Sequence, residues 1–422
     1  MQILFLTQII PWPLDAGPKI KTWNVLRFLK EQGHTVILGS FVREEERKHL
    51  IHLEQLCEEV HAVPMRRSRL ADLRYWLRSQ LSGRPFLIER DDLPEMRALV
   101  ARLVAEKEID LIYADQLSMV QFGLPKDHPG GERPFLLFDA HNAVWTIVDR
   151  MQQNAAWFLK PVLAQEARKI KKYEGKIVKT ADHVLAVSEN DCQALLEAVA
   201  ATSKEAVQSV RSSITVIPIA VDTSTLTPVQ RKPGSTNILT LGTLHYPPNA
   251  DGIRWFMKEV FPILGERVPS ATLTVVGKNP PGDFLQMAAK DSRITVTGYV
   301  PDLTPYFEAA AVVVVPVRAG GGMRVRILEA FARGIPIVTT TVGLEGIEAR
   351  IPQDVEVADS PEAFASAVER LLLNPVEQEQ MARNCRQVAE DRYDWRVILK
   401  KLEGVVGLAE SKKDTLPESI SV

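Results

Sequence analysis

Cysteine is scarce in this sequence, which has three cysteines among 422 residues. Cys57, Cys192 and Cys385 are far apart, so the short spacings that mark zinc sites and redox pairs are absent. We therefore expect free, buried thiols in a reducing compartment. Long apolar runs are also missing, because no stretch reaches the ~18 apolar residues of a membrane-spanning helix. The chain does not open with the basic segment of a signal peptide, and the predicted location is the cytoplasm.

A strong excess of one charge is missing as well. The 51 basic and 53 acidic residues give a formal net charge of -2, which argues against the overall basic character of a nucleic-acid-binding protein. No nucleic-acid partner is predicted. The hydrophobic share of 45% and the charged share of 25% are typical of a globular protein. A length of 422 residues suits two domains of about 200 residues each.

Two series of short apolar runs alternate with segments of helical spacing. The runs of the first series are residues 2–7, 34–39, 60–63, 111–114, 134–139, 183–187 and 215–222. The runs of the second series are residues 237–242, 271–277, 294–298, 311–316 and 335–340. Near-continuous aliphatic runs are typical of parallel strands covered by helices on both faces. The sequence therefore predicts two doubly wound α/β domains, residues 1–222 and 237–410, joined by a linker at 223–236 and followed by a disordered tail at 411–422.

A glycine-rich segment follows the fourth run of the second series. Gly320, Gly321 and Gly322 precede a helix that has Arg324 in its first turn. Glycines let a ligand approach the backbone, and the free amides of a first helical turn bind anions. A cation in that turn opposes the helix dipole unless an anion lies nearby. The pattern favours a bound diphosphate. The alternative is a tight turn with Arg324 directed into solvent.

Glu329 lies further along the same helix, beside the apolar residues 330–332. An unpaired carboxylate would be costly to bury there. Arg326 is three residues earlier and could form an ordinary helical ion pair with it. The other interpretation is that Glu329 accepts hydrogen bonds from a ligand.

These segments resemble family 4 of the glycosyltransferases, whose members are retaining enzymes of the GT-B fold. The resemblance rests on residues 242–251, 275–278, 297–302 and 328–338, which follow the family's order and spacing. It implies two Rossmann-like domains facing each other across a cleft. It also implies transfer of a sugar from a nucleoside diphosphate sugar to a glycan, lipid-linked or small-molecule acceptor. The sequence shows no acidic metal-binding motif beside the glycine-rich segment, so neither a metal nor a cofactor is expected. Cell-surface polysaccharide or glycoconjugate synthesis is the expected setting.

The resemblance also assigns roles to particular residues. Glu329 matches the glutamate that binds the donor ribose, and His141 matches the position that contacts the transferred sugar, which makes it the catalytic candidate. Gly17 and Lys19 belong to a first-domain loop that faces the substrates. The donor-binding candidates are Gly242, Thr243, Asn249, Gly320, Gly321, Gly322, Met323, Arg324, Arg326 and Glu329.

The sequence departs from the usual family pattern at two places. The first of the family's two glutamates falls on Gly321, as in a branch with the pattern Gly-x-Gly-x-Arg-x-Arg-x-Leu-Glu. Thr243 and Asn249 stand where many relatives have an arginine and a lysine, so Arg324 and Arg326 are expected to supply that charge. His141 also has a plain alternative, an ordinary surface histidine at a strand end.

Two rival functions stay open. A nucleotide-sugar epimerase or hydrolase could use the same fold, because a fold does not define an activity. A nucleotide-sugar-binding protein that lost catalysis together with the first glutamate is the other rival. A dinucleotide dehydrogenase is disfavoured, since no G-x-G-x-x-G follows the first strand.

An arginine-rich segment in the first domain is not explained by the resemblance. Residues 64–78 contain five arginines interleaved with Leu70, Leu73, Trp76 and Leu77. As a helix, this segment could lie on an anionic membrane, which would make the protein peripheral. The alternative is a solvated helix that packs its apolar stripe on the domain.

Overall fold

The computed structural model describes residues 1–124 and 133–414. The chain divides into two compact units: Met1–Ile219 together with the chain from Ile398 onward, and Ala220–Val397. Within the described residues, no helix combines the length and the apolar character needed to cross a bilayer. The three cysteines are free and buried, which confirms that part of the sequence prediction.

The first unit is built on a seven-stranded sheet with the order β3-β2-β1-β4-β5-β6-β7. Its strands are β1 Gln2–Thr7, β2 Thr35–Val42, β3 Glu59–Pro64, β4 Leu111–Asp115, β5 Phe135–Ala140, β6 His183–Ala186 and β7 Ile214–Val216. All neighbours are parallel. The chain leaves β1 toward one edge and returns to β4 on its other side, so the strand order reverses between β1 and β4. Ligands of open α/β sheets bind at the carboxyl ends of the strands at such a reversal.

Helices and short turns connect these strands. They are α1 Gly17–Glu31, a 3-10 segment Glu44–His49, α2 Leu50–Leu53, α3 Arg69–Ser82, α4 Phe86–Asp91, α5 Pro94–Glu106, α6 Leu117–Val120, α7 Val144–Asn154, α8 Lys160–Thr180, α9 Glu189–Ala200 and α10 Ala206–Arg211. Aliphatic and aromatic strand residues such as Leu4, Ile112 and Phe138 are fully buried in the core. Apolar strands covered by helices on both faces explain the continuous aliphatic runs of the sequence.

The second unit has a six-stranded sheet with the order β10-β9-β8-β11-β12-β13. Its strands are β8 Asn237–Leu241, β9 Thr272–Val276, β10 Ile294–Gly298, β11 Ala310–Val315, β12 Ile337–Thr339 and β13 Glu356–Val357. Neighbouring strands are again parallel. The strand order reverses between β8 and β11, which lie side by side in the middle of the sheet.

The helices of this part of the chain follow the same alternation. They are α11 Pro247–Trp255, α12 Phe261–Arg267, α13 Gly282–Lys290, α14 Thr304–Ala309, α15 Val325–Ala332, α16 Thr341–Leu344, α17 Pro361–Leu373, α18 Pro375–Val388 and α19 Trp395–Ile398, with π-helical turns at Phe256–Val260 and Ala389–Tyr393.

The last helix, α20 Lys400–Asp414, belongs to the first unit. Its Lys412 Nζ donates a hydrogen bond to Asp182 Oδ1 at 3.0 Å. The sequence analysis expected a disordered tail from residue 411, but residues 411–414 continue the helix. Residues 415–422 lie outside the described part of the chain. The last strand of the first series also ends earlier than expected, at Val216, because Pro218 has no N–H to continue the ladder.

Candidate functional sites

The glycine-rich loop of the second unit lies at the reversal of its sheet. Residues 320–322 follow β11 and Gly242 follows β8, so both segments emerge at the carboxyl ends of neighbouring strands. Gly320 has a φ of 108° and Gly322 a φ of 82°, a region that favours glycine. A side chain at either position would strain the turn. The loop therefore presents bare backbone where open α/β sheets bind their ligands.

Arg326 joins the two segments. Its Nη1 donates to the carbonyl oxygen of Leu241 at 2.5 Å, and its Nη2 donates to Asn249 Oδ1 at 3.0 Å. A Cβ at Gly242 would lie 2.7 Å from Nη1, so any other residue at this position would displace the guanidinium from its present place. Burial, reinforced by the charge of Arg324, lowers the pKa of Arg326 to about 10, and the side chain remains a cation at neutral pH. Arg326 is thus a buried positive charge that fixes the loop to the end of β8.

Thr243 and Asn249 belong to the same cluster. Asn249 Nδ2 donates to the carbonyl oxygen of Thr243 at 3.2 Å, while its Oδ1 receives the bond from Arg326. The structure therefore brings together three of the predicted residues that follow β8, Gly242, Thr243 and Asn249, and adds Arg326 to them.

Arg324 stands at the N-cap of α15 and turns back onto the loop. Its Nη1 donates to the carbonyl oxygens of Gly321 and Gly322 at 2.5 and 2.6 Å. The alternative with Arg324 directed into solvent is wrong, because these two carbonyls hold the guanidinium against the glycines. Met323 is buried, so its backbone is the part that a ligand could reach. The loop thus combines a cation with the amino end of a helix.

Glu329 pairs with a different arginine from the one the sequence suggested. Arg333 Nε donates to Glu329 Oε1 at 3.4 Å, one turn further along the helix. The expected partner, Arg326, is committed to Leu241 and Asn249 instead. Burial raises the pKa of Glu329, an effect opposed by Arg333 and Arg326. The Glu329 side chain keeps 23% of its surface exposed. A ligand hydroxyl could therefore reach this carboxylate.

A second cluster lies at the reversal of the first unit's sheet. His141 directly follows β5, and its Nε2 donates to Oδ1 of Asp115, the last residue of β4, at 2.6 Å. Asp115 Oδ2 also accepts from the hydroxyls of Thr7 at 2.7 Å and Thr22 at 3.0 Å. Burial tends to raise the pKa of Asp115, but the charge and hydrogen bond of His141, with Thr7 and Lys21, outweigh it and hold the pKa below its ordinary value. Asp115 is thus an ionised, fully engaged carboxylate.

Asp139 is the other buried acid of this cluster. The ammonium of Lys21, on α1, donates to Asp139 Oδ1, and the Tyr113 hydroxyl donates to Asp139 Oδ2 at 2.6 Å. Burial, followed by the charge of Asp139, raises the pKa of Tyr113 well above its usual range, so the phenol keeps its proton. Lys21 is 2% exposed and supplies a positive charge inside the cluster.

His141 is buried, which contradicts the alternative of an ordinary surface histidine. Because Asp115 accepts the Nε2–H, Nδ1 is the ring nitrogen that remains for another partner. That buried Nδ1 has no hydrogen-bond partner among residues 1–124 and 133–414. The ring is thus held in one orientation with its Nδ1 left for a ligand.

The ligand atoms of Asp115, Asp139 and His141 lie within 4.8 Å of one another, a grouping with the donor types of a metal site. Such a group was not expected from the sequence. Lys21 already neutralises Asp139, and three donors already engage Asp115. A metal ion would have to displace an ammonium and reorient two hydroxyls, so these residues fit a resident lysine better than a divalent cation.

Gly17 and Lys19 lie at the start of α1, close in sequence to Lys21 and Thr22. Lys19 Nζ pairs with Asp15 at 3.0 Å, which gives it a partner outside the buried cluster. Sequence reasoning missed Thr7, Thr22, Tyr113 and Asp115 of the cluster, and also its cation, Lys21. Helical spacing could have indicated that Lys21 is buried. Lys21, Val25 and Phe28 lie on one helical face, so the lysine points inward with the apolar residues.

Part of the second unit is similar in sequence to a known protein family. Residues 235–374 match the family model described as glycosyl transferases group 1. This match contains the whole Gly320–Glu329 segment together with Gly242 and Asn249. The group 1 match therefore covers the donor-binding candidates but not His141.

A curated protein also aligns over nearly the full chain. A protein of the cps region of Klebsiella pneumoniae, described as an uncharacterized 44.6 kDa protein, is 20% identical over 409 residues, which are 95% of this chain and 98% of that protein.

Among solved structures, Anabaena Alr3699/HepE in complex with UDP and glucose superposes with a TM-score of 0.66 at 16% identity, covering 97% of this chain and 100% of that one. Sucrose-phosphate synthase from Thermosynechococcus elongatus has a TM-score of 0.68 at 18% identity, covering 97% and 99%. These likenesses show the fold. Two parallel, Rossmann-like sheets matching GT-B glycosyltransferase structures confirm the predicted fold class.

Proposed function

We propose that this protein is a retaining, metal-independent glycosyltransferase that moves a sugar from a nucleoside diphosphate sugar to a glycan, lipid-linked or small-molecule acceptor. The observation that carries the proposal is the loop 320–322, held by Arg324 and tied to β8 by Arg326, inside the segment that matches group 1 glycosyl transferases. The crystals of Alr3699/HepE with UDP and with UDP-glucose support a nucleotide sugar as donor.

Donor binding is assigned to the second unit. The diphosphate lies against the amino end of α15, where the helix amides and the Arg324 cation stabilise its negative charge. Arg326 adds a second, buried cation behind the loop. Glu329 accepts hydrogen bonds from the ribose hydroxyls. Positive charge placed where the leaving group becomes more negative lowers the barrier, which is the role a metal ion plays elsewhere.

The first unit's cluster is assigned to the transferred sugar. His141 Nδ1 accepts a hydrogen bond from a sugar hydroxyl, while Asp115 fixes the ring through Nε2. In the reaction, the bond between the anomeric carbon and the phosphate oxygen breaks, and a bond from the acceptor oxygen to that carbon forms. The acceptor proton passes to the departing phosphate, so no enzyme nucleophile is needed and none is nominated.

The setting we propose is the synthesis of a cell-surface polysaccharide or glycoconjugate. The support is the Klebsiella pneumoniae relative, which is described as a protein of the cps region.

A donor screen tests the proposal. Nucleoside diphosphate sugars are first ranked by thermal shift, because a ligand at 100 times its dissociation constant adds about 2.7 kcal/mol to stability. The best donors are then incubated with candidate acceptors, and both the nucleoside diphosphate and the glycosylated product are measured. Product that appears only with an acceptor supports the proposal. Donor turnover without acceptor indicates the epimerase or hydrolase, and binding without turnover indicates the inactive binding protein.

A further inference from the structure

Helix α3 of the first unit exposes its apolar residues to solvent instead of burying them. A surface helix ordinarily packs its apolar stripe against the core, but Leu70 is 82% and Leu81 91% exposed. Leu73, Trp76 and Leu77 are exposed as well, and the buried residue of this helix is a serine, Ser79. The alternative that the apolar stripe packs on the domain is therefore wrong.

Polar contacts hold α3 in this orientation. Arg67 Nη2 lies 3.2 Å from Oδ1 of the buried Asp91, and Arg78 Nε lies 2.8 Å from Oε2 of the buried Glu89. Ser79 Oγ donates to the carbonyl oxygen of Arg84 at 2.7 Å. Two arginines and a serine thus anchor this helix to the domain, a role that leucines have in most surface helices. The exposed leucines are a consequence of how the helix is anchored.

The ends of α3 are also well defined. Ser68 Oγ accepts from the amide of Ala71 at 3.2 Å, and the amide of Gly83 donates to the carbonyl oxygen of Ser79 at 3.1 Å. A side-chain cap at the start and a glycine after the last turn stabilise a helix without any apolar burial. The helix therefore persists with its apolar face outward.

A second exposed apolar segment lies next to this helix. Trp157 is 83% and Phe158 59% exposed, and Leu159 and Val162 are exposed beside them at the start of α8. Gln165 Nε2 donates to Gln80 Oε1 at 3.0 Å, and Lys169 Nζ donates to the Ser79 carbonyl at 3.0 Å, so α8 runs along the end of α3. We call these residues the docking surface: Leu70, Leu73, Trp76, Leu77, Leu81, Trp157, Phe158, Leu159 and Val162.

The charge on and beside α3 is mainly positive. Arg66, Arg69 and Arg74 are exposed on or beside α3, and Asp72 is the one acidic residue between residues 66 and 82. Leucine and tryptophan together with arginine are the composition of helices that lie in the interface of anionic membranes. Exposed tryptophan is also enriched at the level of the lipid headgroups. A protein partner would need no such excess of cations.

We propose that the docking surface binds an anionic lipid bilayer, with the leucines and aromatic rings at the boundary of headgroups and acyl chains and the arginines against lipid phosphates. This inference does not depend on the proposed sugar transfer, since it rests on residues outside both candidate sites. Its test needs no donor and no acceptor, so the two proposals fail separately.

Vesicle flotation of the full chain tests the charge. Vesicles of phosphatidylcholine alone are compared with vesicles that also contain phosphatidylglycerol. Each arginine near an anionic surface contributes about fivefold to partitioning, so the triple variant Arg66→Gln, Arg69→Gln, Arg74→Gln should bind anionic vesicles about a hundredfold more weakly. Three exposed lysines elsewhere serve as the matched control, and Lys204→Gln, Lys258→Gln, Lys290→Gln should bind like the parent.

Apolar variants test the other half of the surface. The quadruple variant Leu70→Gln, Leu77→Gln, Leu81→Gln, Trp157→Gln should lose at least about tenfold in partitioning, since each side chain gives up the burial it gains in the membrane. Glutamine keeps helix propensity close to that of leucine. Leu285→Gln with Leu373→Gln is the control, because these exposed leucines lie in the second unit.

Two outcomes overturn the proposal. One is a parent protein that floats with neither vesicle composition or does not distinguish them. The other is a parent protein that is a dimer in solution and becomes a monomer in the quadruple variant, while vesicle binding is absent. The docking surface would then be an interface between two copies of this chain.

Discussion

Among single residues, Arg324 and Glu329 are assigned to different parts of one ligand. Arg324 caps α15 and touches the glycine loop, whereas Glu329 lies one to two turns further along the helix. A charge-assisted hydrogen bond contributes about 1.5 to 3 kcal/mol, so losing one should weaken binding about tenfold to a hundredfold. Arg324→Ala should weaken a nucleoside diphosphate much more than the free nucleoside, and Glu329→Ala should weaken both.

Calorimetric titration of each variant with both ligands measures this difference. Arg293→Ala is the control, because this arginine of the same unit is engaged with Asp291. Equal losses for Arg324→Ala on the nucleoside and on its diphosphate would refute the phosphate assignment.

His141 allows a second prediction at this scale. His141→Ala should lower turnover by about tenfold or more, because a hydrogen bond to the transferred sugar is lost. Stability should fall only modestly, since Asp115 keeps the hydroxyls of Thr7 and Thr22. Thr22→Val is the matched control: it removes one donor to Asp115 and leaves the imidazole in place. If both variants lose the same turnover and the same stability, His141 serves the fold and not the sugar.

Among the elements, α8 holds α7 through one buried carboxyl group, that of Glu174. Glu174 accepts from the amides of Val144 at 2.8 Å and Trp145 at 2.9 Å, the first two residues of α7. Burial raises the pKa of Glu174 to about 8 in spite of these two amides, and Asp191 adds to the shift. The carboxyl therefore remains protonated in the folded state at pH values where the unfolded chain has released the proton.

The sign of the pH dependence follows from this difference. Between its ordinary value of 4.5 and about 8, folding takes up a proton at Glu174, so the free energy of unfolding falls as pH rises, by at most about 1.4 kcal/mol per pH unit. The Glu174→Gln variant lacks this contribution. Its free energy of unfolding should therefore rise relative to that of the parent as pH increases through that window. Urea unfolding of both proteins across the window gives the measurement. Parallel stability curves would show that the carboxylate is ionised in both states.

For the whole molecule, local patterns in the sequence were enough to predict the fold. Short aliphatic runs alternating with helical spacing predicted both parallel sheets, because a strand buried on two faces must be apolar along its length. The glycine loop was also predictable, since Gly320 to Arg324 are contiguous. The partners of its arginines were not: Arg326 binds the carbonyl of Leu241, 85 residues away.

The first unit's cluster shows why a site built from residues distant in sequence cannot be predicted from local patterns. Lys21 and Asp139 are 118 residues apart in sequence, and Thr7 and Asp115 are 108 apart. Each of the four belongs to a different element, and only the order of the strands brings them together. The orientation of α3 could not be predicted for a similar reason, because its anchors Asp91 and Glu89 belong to another helix.

Metal independence is the last prediction, and it concerns the whole reaction. The proposed leaving group is met by Arg324, Arg326 and the amino end of α15, and the acidic cluster of the first unit already contains the ammonium of Lys21. Sugar transfer should therefore continue at an unchanged rate in excess EDTA, and added Mg²⁺ should not increase it. Lys21→Gln provides the internal comparison: it removes the resident cation, so this variant, and not the parent, should bind a divalent ion at Asp115 and Asp139. If the parent loses activity with chelator and regains it with Mg²⁺ or Mn²⁺, the arginines do not neutralise the diphosphate by themselves and the proposed chemistry of the loop is wrong.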